Sequence, residues 1–263
     1  MDVHTPRSLD EALRLKSEMP DARFVQGGTD VLVELNFDRS RPPALINLNA
    51  VGELNGFARE NGTFVLGAGL TYAKAMDSTL APHLPALAEA SRTVGSPQIR
   101  NRGTIGGNLG TASPAGDALP PLVIAAAEVC IASVRGERRL PIGDFLVGVK
   151  KNALEADEIV VSVRLPPCGT RQTFMKVGPR NAMVISVCSL ALEVDRERGE
   201  IRAAIGSAAP TVRLVTSTTA EAEAFPELVA ASASPIDDVR GTAAYRRHAL
   251  RILAGRALER CLA

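Results

Sequence analysis

A glycine-rich segment in the middle of the chain constrains the fold more than any other feature. Residues 96–116 carry five glycines and two prolines and follow neither a helical nor a strand period. A compact domain seldom contains about 20 irregular residues unless they have a function. Polar side chains in and just after the segment are Thr104, Asn108, Thr111, Ser113 and Asp117. Neutral donors with one fixed acceptor suit a ribose, a pyrophosphate and a polar ring better than acid–base catalysis, so we predict a binding loop. The alternative is an ordinary surface loop, which seldom needs so many hydroxyl and amide groups.

A second glycine turn lies near the N-terminus. A short strand predicted at Arg23-Phe24-Val25 leads through Gln26 into Gly27-Gly28-Thr29-Asp30, and the apolar run from Val31 predicts a helix start. A strand, a glycine turn and a helix start can together point backbone N–H groups at an anion. The tetrapeptide alone favours an ordinary strand-to-helix turn, because it matches neither of the common nucleotide-binding fingerprints.

Composition excludes several classes of protein. The 263 residues are 46% hydrophobic and 22% charged, which is typical of a globular chain. The near balance of 30 Lys and Arg against 29 Asp and Glu gives no general attraction to nucleic acid. Four cysteines and three histidines are scattered, so we predict no metal site on this chain. The N-terminus lacks a signal-peptide pattern, and no apolar run is long enough to cross a bilayer. We therefore predict a cytoplasmic protein without a membrane span.

The first two thirds of the chain predict two units of mixed structure. In the first, Ser8-Leu9-Asp10-Glu11 is a capping box that opens a helix ending before Pro20. In the second, Thr71 caps a short helix and Gly95 ends a longer one. Strands are predicted over 44–48, 63–66, 129–134 and 158–165, and helices over 84–94 and 119–127. The pair Pro166-Pro167 marks the end of the second unit.

The last third predicts an antiparallel sheet followed by two helices. The strands are predicted over 173–177, 184–194 and 201–207. Thr242 caps the last helix, which carries Leu250, Leu253, Ala257 and Leu258 on one face. We accordingly divide the chain into residues 1–55, 56–166 and 167–263.

The order of the motifs resembles that of a known family. The motifs are Gly27-Gly28-Thr29-Asp30-Val31-Leu32, Gln98-Ile99-Arg100-Asn101, Gly106-Gly107-Asn108, Ala112-Ser113-Pro114 with Asp117, and Asp237-Asp238-Val239-Arg240-Gly241-Thr242 with Tyr245-Arg246-Arg247-His248. In this order they resemble the FAD-binding subunits of the molybdenum hydroxylases, the family of xanthine dehydrogenase and carbon monoxide dehydrogenase medium subunits. The resemblance covers essentially the whole chain.

The resemblance implies an α+β fold and a set of FAD-binding residues. A two-part FAD-binding fold of the vanillyl-alcohol-oxidase (PCMH) type would be followed by a C-terminal domain with an antiparallel sheet and helices. The residues implied to bind FAD are Val25, Gln26, Gly27, Gly28, Thr29, Asp30, Val31, Gly103, Thr104, Gly107, Asn108, Thr111, Ser113, Asp117, Ile159, Val160 and Lys176. Within this set, 25–31 would surround the pyrophosphate, and Lys176 would lie near the flavin edge.

The resemblance also implies a function within an assembly. This chain would hold FAD non-covalently and pass electrons from 2Fe-2S clusters to an external acceptor, with no catalytic residue of its own. Molybdopterin would lie on a large partner subunit and the 2Fe-2S clusters on a small one, in a dimer of heterotrimers. The segments 27–32 and 177–182 favour a purine (xanthine) dehydrogenase.

Two departures leave the electron acceptor open. Val94 replaces the aromatic residue that eukaryotic xanthine dehydrogenases place near the flavin, and Arg180-Asn181-Ala182-Met183 replaces an acidic pair that helps NAD to bind there. The alternative functions are a self-contained FAD-dependent oxidoreductase of the same fold, which needs its own substrate pocket, and an assembly protein that has lost its flavin.

Overall fold

The computed structural model describes all 263 residues, and its first part is a small parallel sheet with two helices. In chain order the elements are β1 (Asp2–His4), α1 (Leu9–Glu18), β2 (Arg23–Val25), α2 (Val31–Asn36) and β3 (Ala44–Asn47). The three strands pair in parallel in the order β1-β3-β2. The predicted cap at Ser8 is confirmed, because its side chain accepts a hydrogen bond from the N–H of Glu11.

The second part is built around a five-stranded antiparallel sheet in the order β4-β5-β10-β6-β7. Its strands are β4 (Phe57–Glu60), β5 (Thr63–Gly67), β6 (Glu128–Ser133), β7 (Gly136–Pro141) and β10 (Ile159–Leu165), and a hairpin is formed by β8 (Leu146–Gly148) and β9 (Lys151–Asn152). Its helices are α3 (Tyr72–Ala75), α4 (Pro85–Thr93), α5 (Pro97–Arg102), α6 (Ile105–Thr111), α7 (Leu119–Ile124) and α8 (Ile142–Phe145). The helix predicted over 119–127 is therefore shorter, and the charged strand β7 was not predicted.

The prediction of an irregular segment over 96–116 is wrong, because this segment forms α5 and α6. The side chains of Ser96 and Thr104 cap the two helices by accepting hydrogen bonds from the N–H groups of Ile99 and Gly107. Glycine disfavours a helix by about 1 kcal/mol relative to alanine, so four glycines conceal the pattern in the sequence. The caps and the packing of Ile105 and Leu109, both fully buried, stabilise α6 despite that cost.

The third part is a four-stranded antiparallel sheet covered on both faces. Its strands β11 (Gln172–Val177), β12 (Cys188–Asp195), β13 (Glu200–Gly206) and β14 (Arg213–Thr218) pair in chain order, and α9 (Phe225–Ser232) and α10 (Ala243–Leu262) follow. The strand β14 was not predicted, and β12 begins four residues later than predicted. The predicted cap at Thr242 is confirmed. Because α4 and α7 pack on one face and α10 on the other, nearly every residue of β12 is buried.

The hydrophobic cores connect the three parts. Ala132 and Ile159 of the second sheet belong to the core of the first part, while Phe174, Ala191 and Ala204 of the third sheet belong to the core of the second. The second part therefore packs against both of the others. None of the helices combines the length and apolar character that a membrane span requires. The three domain boundaries stay predictions.

Candidate FAD-binding cleft

A cleft of about 630 Å³ lies between the first and second parts of the fold. Cavities of roughly 300–1,000 Å³ are typical of small-molecule sites. Fourteen of the seventeen predicted residues line it: Val25, Gln26, Gly27, Gly28, Thr29, Asp30, Val31, Gly103, Thr104, Gly107, Asn108, Thr111, Ile159 and Val160. The fold thus brings together two glycine segments that are about 80 residues apart in the sequence.

The first glycine turn presents unpaired backbone donors to this cleft. The N–H groups of Gly27, Gly28, Thr29 and Asp30 donate to no protein acceptor. Gly28 adopts a φ of +74°, which glycine tolerates without strain. A Cβ on Gly27 would lie 2.2 Å from the carbonyl oxygen of Arg102, so a larger residue would push the two parts of the fold apart. Successive free N–H groups in such a turn form a concavity that binds anions.

The helix α6 forms the opposite wall. The hydroxyl of Thr104 accepts a hydrogen bond of 2.9 Å from the N–H of Gly107, which fixes the start of the helix. A Cβ on Gly106 would lie 2.6 Å from that of Ala68, so this glycine permits the helix to approach β5 closely. The side-chain oxygen of Asn108 is buried and has no hydrogen-bond partner in the protein. Buried polar atoms are nearly always paired, so the orphaned oxygen fits a donor supplied by a ligand.

Hydrogen bonds across the cleft hold its two walls in place. The hydroxyl of Thr111 donates to the Asp30 carboxylate over 2.8 Å. The guanidinium of Arg102 donates to the carbonyl oxygen of Gln26 and to the side-chain oxygen of Asn49, each over 3.0 Å. These contacts join residues that are 53 to 81 positions apart. The glycine turn and α6 therefore keep a fixed spacing without a ligand.

A half-buried ion pair supports the wall that carries Ile159 and Val160. Glu158 lies just before these residues and accepts two hydrogen bonds of 2.7 Å from Arg138 and one of 2.8 Å from the N–H of Glu155. The hydrogen bonds from Arg138 lower the pKa of Glu158, so it stays ionised at neutral pH. This anchoring orders the segment that leads into β10.

Sequence reasoning missed several other residues that line the cleft. They are Lys16, Arg23, Phe24, Arg41 and Leu154. Lys16 is 9% exposed and lies one helical turn after the fully buried Ala12. A lysine at a core-facing position of an amphipathic helix is unusual, and this spacing was the available signal.

Three predicted residues do not line the cleft. Ser113 accepts a hydrogen bond of 3.3 Å from the N–H of Ala115 within a turn after α6. Asp117 is 7% exposed and accepts hydrogen bonds of 2.6 Å from Lys176 and 2.7 Å from Ser186. These two carboxylate contacts join the second part of the fold to the third.

Lys176 lines a second cavity of about 650 Å³ between the second and third parts. Arg92, Arg100 and Arg180 also line it, and no carboxylate does. The ammonium of Lys176 additionally donates to the carbonyl oxygens of Thr93 and Val184, over 3.0 and 3.1 Å. The cavity is therefore positively charged and its lysine is held in place. The roles of Ser113, Asp117 and Lys176 toward FAD stay predictions.

Comparisons with known proteins identify the class to which this geometry belongs. Residues 1–168 match the family model described as the FAD binding domain in molybdopterin dehydrogenase. The chain is 31% identical over 278 residues to the xanthine dehydrogenase FAD-binding subunit of Escherichia coli, covering 99% of this chain and 95% of that one. It is 37% identical over 204 residues to the nicotinate dehydrogenase FAD-subunit of Eubacterium barkeri, covering 74% and 69%. It superposes on carbon monoxide dehydrogenase of Hydrogenophaga pseudoflava with a TM-score of 0.90 and 27% identity, covering 100% of this chain and 97% of that one.

The chain belongs to the family of FAD-binding domains of molybdopterin dehydrogenases. It is an FAD-dependent oxidoreductase subunit, as the order of its motifs indicated. The predicted fold class, a two-part FAD-binding fold with a C-terminal sheet and helices, is confirmed by the match along the whole chain.

Proposed function

We propose that this chain holds FAD non-covalently in the cleft and passes electrons from a partner's 2Fe-2S clusters to an external acceptor. The observation that carries the proposal is the row of four backbone N–H groups at 27–30 without a protein acceptor. Such a row suits the pyrophosphate of a dinucleotide, and Asn108, whose side-chain oxygen has no protein partner, lines the same cleft. No His or Cys lines the cleft, which supports non-covalent binding.

Bound FAD supplies the redox chemistry that none of the side chains can perform. The residues of the chain supply binding and electrostatics. We assign the pyrophosphate to the glycine turn. The neighbouring hydroxyl groups of the cofactor would bind Asn108 and Thr111. The flavin half would extend from there toward Asp117 and Lys176. The fixed ammonium of Lys176 would stabilise negative charge that develops on a reduced ring.

The names of the relatives support a heteromeric assembly. One match is the medium chain of carbon monoxide dehydrogenase of Hydrogenophaga pseudoflava, 31% identical over 99% of this chain. We propose that this chain joins a large subunit with molybdopterin and a small subunit with 2Fe-2S clusters, in a dimer of heterotrimers. Its four cysteines are free, which fits the reducing cytoplasm. The match to a xanthine dehydrogenase subunit favours a purine substrate on the large subunit.

The competing function is a self-contained FAD-dependent oxidoreductase. This alternative requires a substrate pocket beside the flavin, yet the chain covers 95% of the length of a subunit whose name is FAD-binding subunit. An assembly protein without flavin would have no need of the four free N–H groups.

A spectroscopic comparison of the isolated chain and the co-expressed complex tests the proposal. The isolated chain should show flavin absorbance, lose it on addition of dithionite and regain it in air. Addition of xanthine should leave this absorbance unchanged. Co-purified with its large and small subunits, it should bleach on addition of xanthine or another purine. If the isolated, metal-free chain bleached with an organic substrate, it would be a self-contained oxidoreductase. If it bound no FAD, the proposal would fail altogether.

A further inference from the structure

One lysine of the cleft has a hydrogen-bond donor to spare. The ammonium of Lys16 donates to the carbonyl oxygens of Pro20 and Ala22 over 2.7 and 2.6 Å, and it lies 5.4 Å from the centroid of the Phe24 ring. An ammonium carries three N–H donors, and the third has no acceptor in the protein. Because Lys16 lines the cleft, a ligand can supply that acceptor.

The position of Lys16 is costly without such an acceptor. The residue is 9% exposed, and lysine is almost never buried unless it is paired. Burial lowers the pKa of Lys16, while the nearby carboxylates of Asp21 and Asp157 offset this in part. Neither carboxylate is within ion-pair distance of the ammonium, so the charge is only partly compensated.

Lys16 lies on the β2 side of the glycine turn. It contacts Ala22 at the start of β2, five residues before Gly27. Three of these five residues form β2, so the strand separates Ala22 from the glycine turn. Gly27 contacts Arg102 just before α6, and Asp30 contacts Thr111 at the end of that helix.

From Thr111 the chain continues to Asp117, which binds Lys176 at the second cavity. Lys16 and the glycine turn therefore line the first cleft, whereas Lys176 lines only the second cavity. If the flavin half of FAD extends toward Lys176 from a pyrophosphate at the turn, the adenosine half extends toward Lys16.

We propose that Lys16 donates its free N–H to an acceptor on the adenosine half of FAD, a ring nitrogen or a ribose oxygen, and so sets the preference of this site for FAD over FMN. This inference rests on the proposed binding of FAD in the cleft. Lys16 is a specificity-determining residue and does not touch the reacting ring.

Lys16→Met tests the assignment, because methionine has a similar length, no charge and no donor. The full-length apoprotein is titrated with FAD, ADP and FMN, and the dissociation constants are measured by fluorescence or calorimetry. FAD and ADP should each bind about 10- to 100-fold more weakly, as expected for the loss of a hydrogen bond from a charged donor. FMN, which lacks the adenosine half, should bind as it does to the parent protein.

Lys74→Met is the matched control, because Lys74 is exposed and does not line the cleft. It should leave all three dissociation constants unchanged. Urea unfolding of each apoprotein shows whether the variants fold alike.

Two results would overturn the inference. If Lys16→Met weakened FMN as much as FAD and ADP, Lys16 would merely shape the cleft. If it left ADP unaffected and shifted the reduction potential of bound flavin, the ammonium would lie at the flavin end. A parent protein that binds none of the three ligands would instead refute the proposed function.

Discussion

Replacing Asp117 by alanine should unfold this protein more easily, whether or not FAD is bound. The side chains of Asp117 and Lys176 are 8% and 7% exposed and 2.6 Å apart, and they join the second part of the fold to the third. Lys176 would keep the carbonyl oxygens of Thr93 and Val184 as acceptors but would lose its counter-charge.

The size of the effect follows from what the substitution leaves buried. Removing one partner of a buried ion pair costs about 3–5 kcal/mol, because the other charge is left uncompensated. The two remaining carbonyl acceptors of Lys176 place the expected loss at the lower end, about 3 kcal/mol. For a chain of this length, this corresponds to a decrease in Tm of roughly 6–12 °C. Ser186 would also lose the acceptor of its 2.7 Å hydrogen bond, which adds to the loss.

Urea unfolding of the FAD-free protein measures this loss directly. Asp117→Ala and Lys176→Met should each lower the free energy of unfolding. The double variant should lose less than the sum of the two, because neither charge is then left alone. If Asp117→Ala left the apoprotein as stable as the parent and weakened only FAD binding, the ion pair would have no structural role and our reasoning would be wrong.

Three further outcomes are expected. Gly107→Val should abolish FAD binding with circular dichroism unchanged, because its Cβ would meet only the Thr104 hydroxyl, at 3.1 Å, and the rest of the side chain would project into the cleft. Gly143→Val on α8, where a Cβ meets nothing and which does not line the cleft, is the control and should retain FAD; equal FAD content in all three proteins would refute the placement. Hydrogen bonds from Arg138 lower the pKa of Glu158, so this carboxylate stabilises the fold above its ordinary pKa of about 4.3, and the stabilisation is lost as pH falls through the lower folded value. In urea unfolding, Glu158→Gln should therefore differ from the parent most at neutral pH and least in strong acid; a difference independent of pH would contradict this. Denaturation should release all yellow colour into the supernatant, whereas colour that stays with the precipitate would indicate a covalent flavin.

Local sequence patterns were sufficient wherever a few neighbouring residues decide the structure. The caps at Ser8, Thr71 and Thr242 were predicted because a side-chain oxygen three residues before a free N–H is a local arrangement. The strand, glycine turn and helix around Gly27 and Gly28 were predicted for the same reason. The order of the motifs along the chain also indicated the family, and with it most of the residues that line the cleft.

Tertiary structure decided what depends on residues far apart in the sequence. The glycines of 96–116 conceal two helices, which become stable only when Ile105 and Leu109 are buried against the sheet. The chemistry of Asp117 suits a ligand contact, but its position places it beside Lys176, 59 residues later. Lys16 lines the cleft together with Gly103 and Thr104, which lie more than 80 residues later in the sequence. Local patterns specify helices, turns and caps, whereas the neighbours of a side chain, and hence its charge environment and its ligand, are fixed only when distant segments pack together.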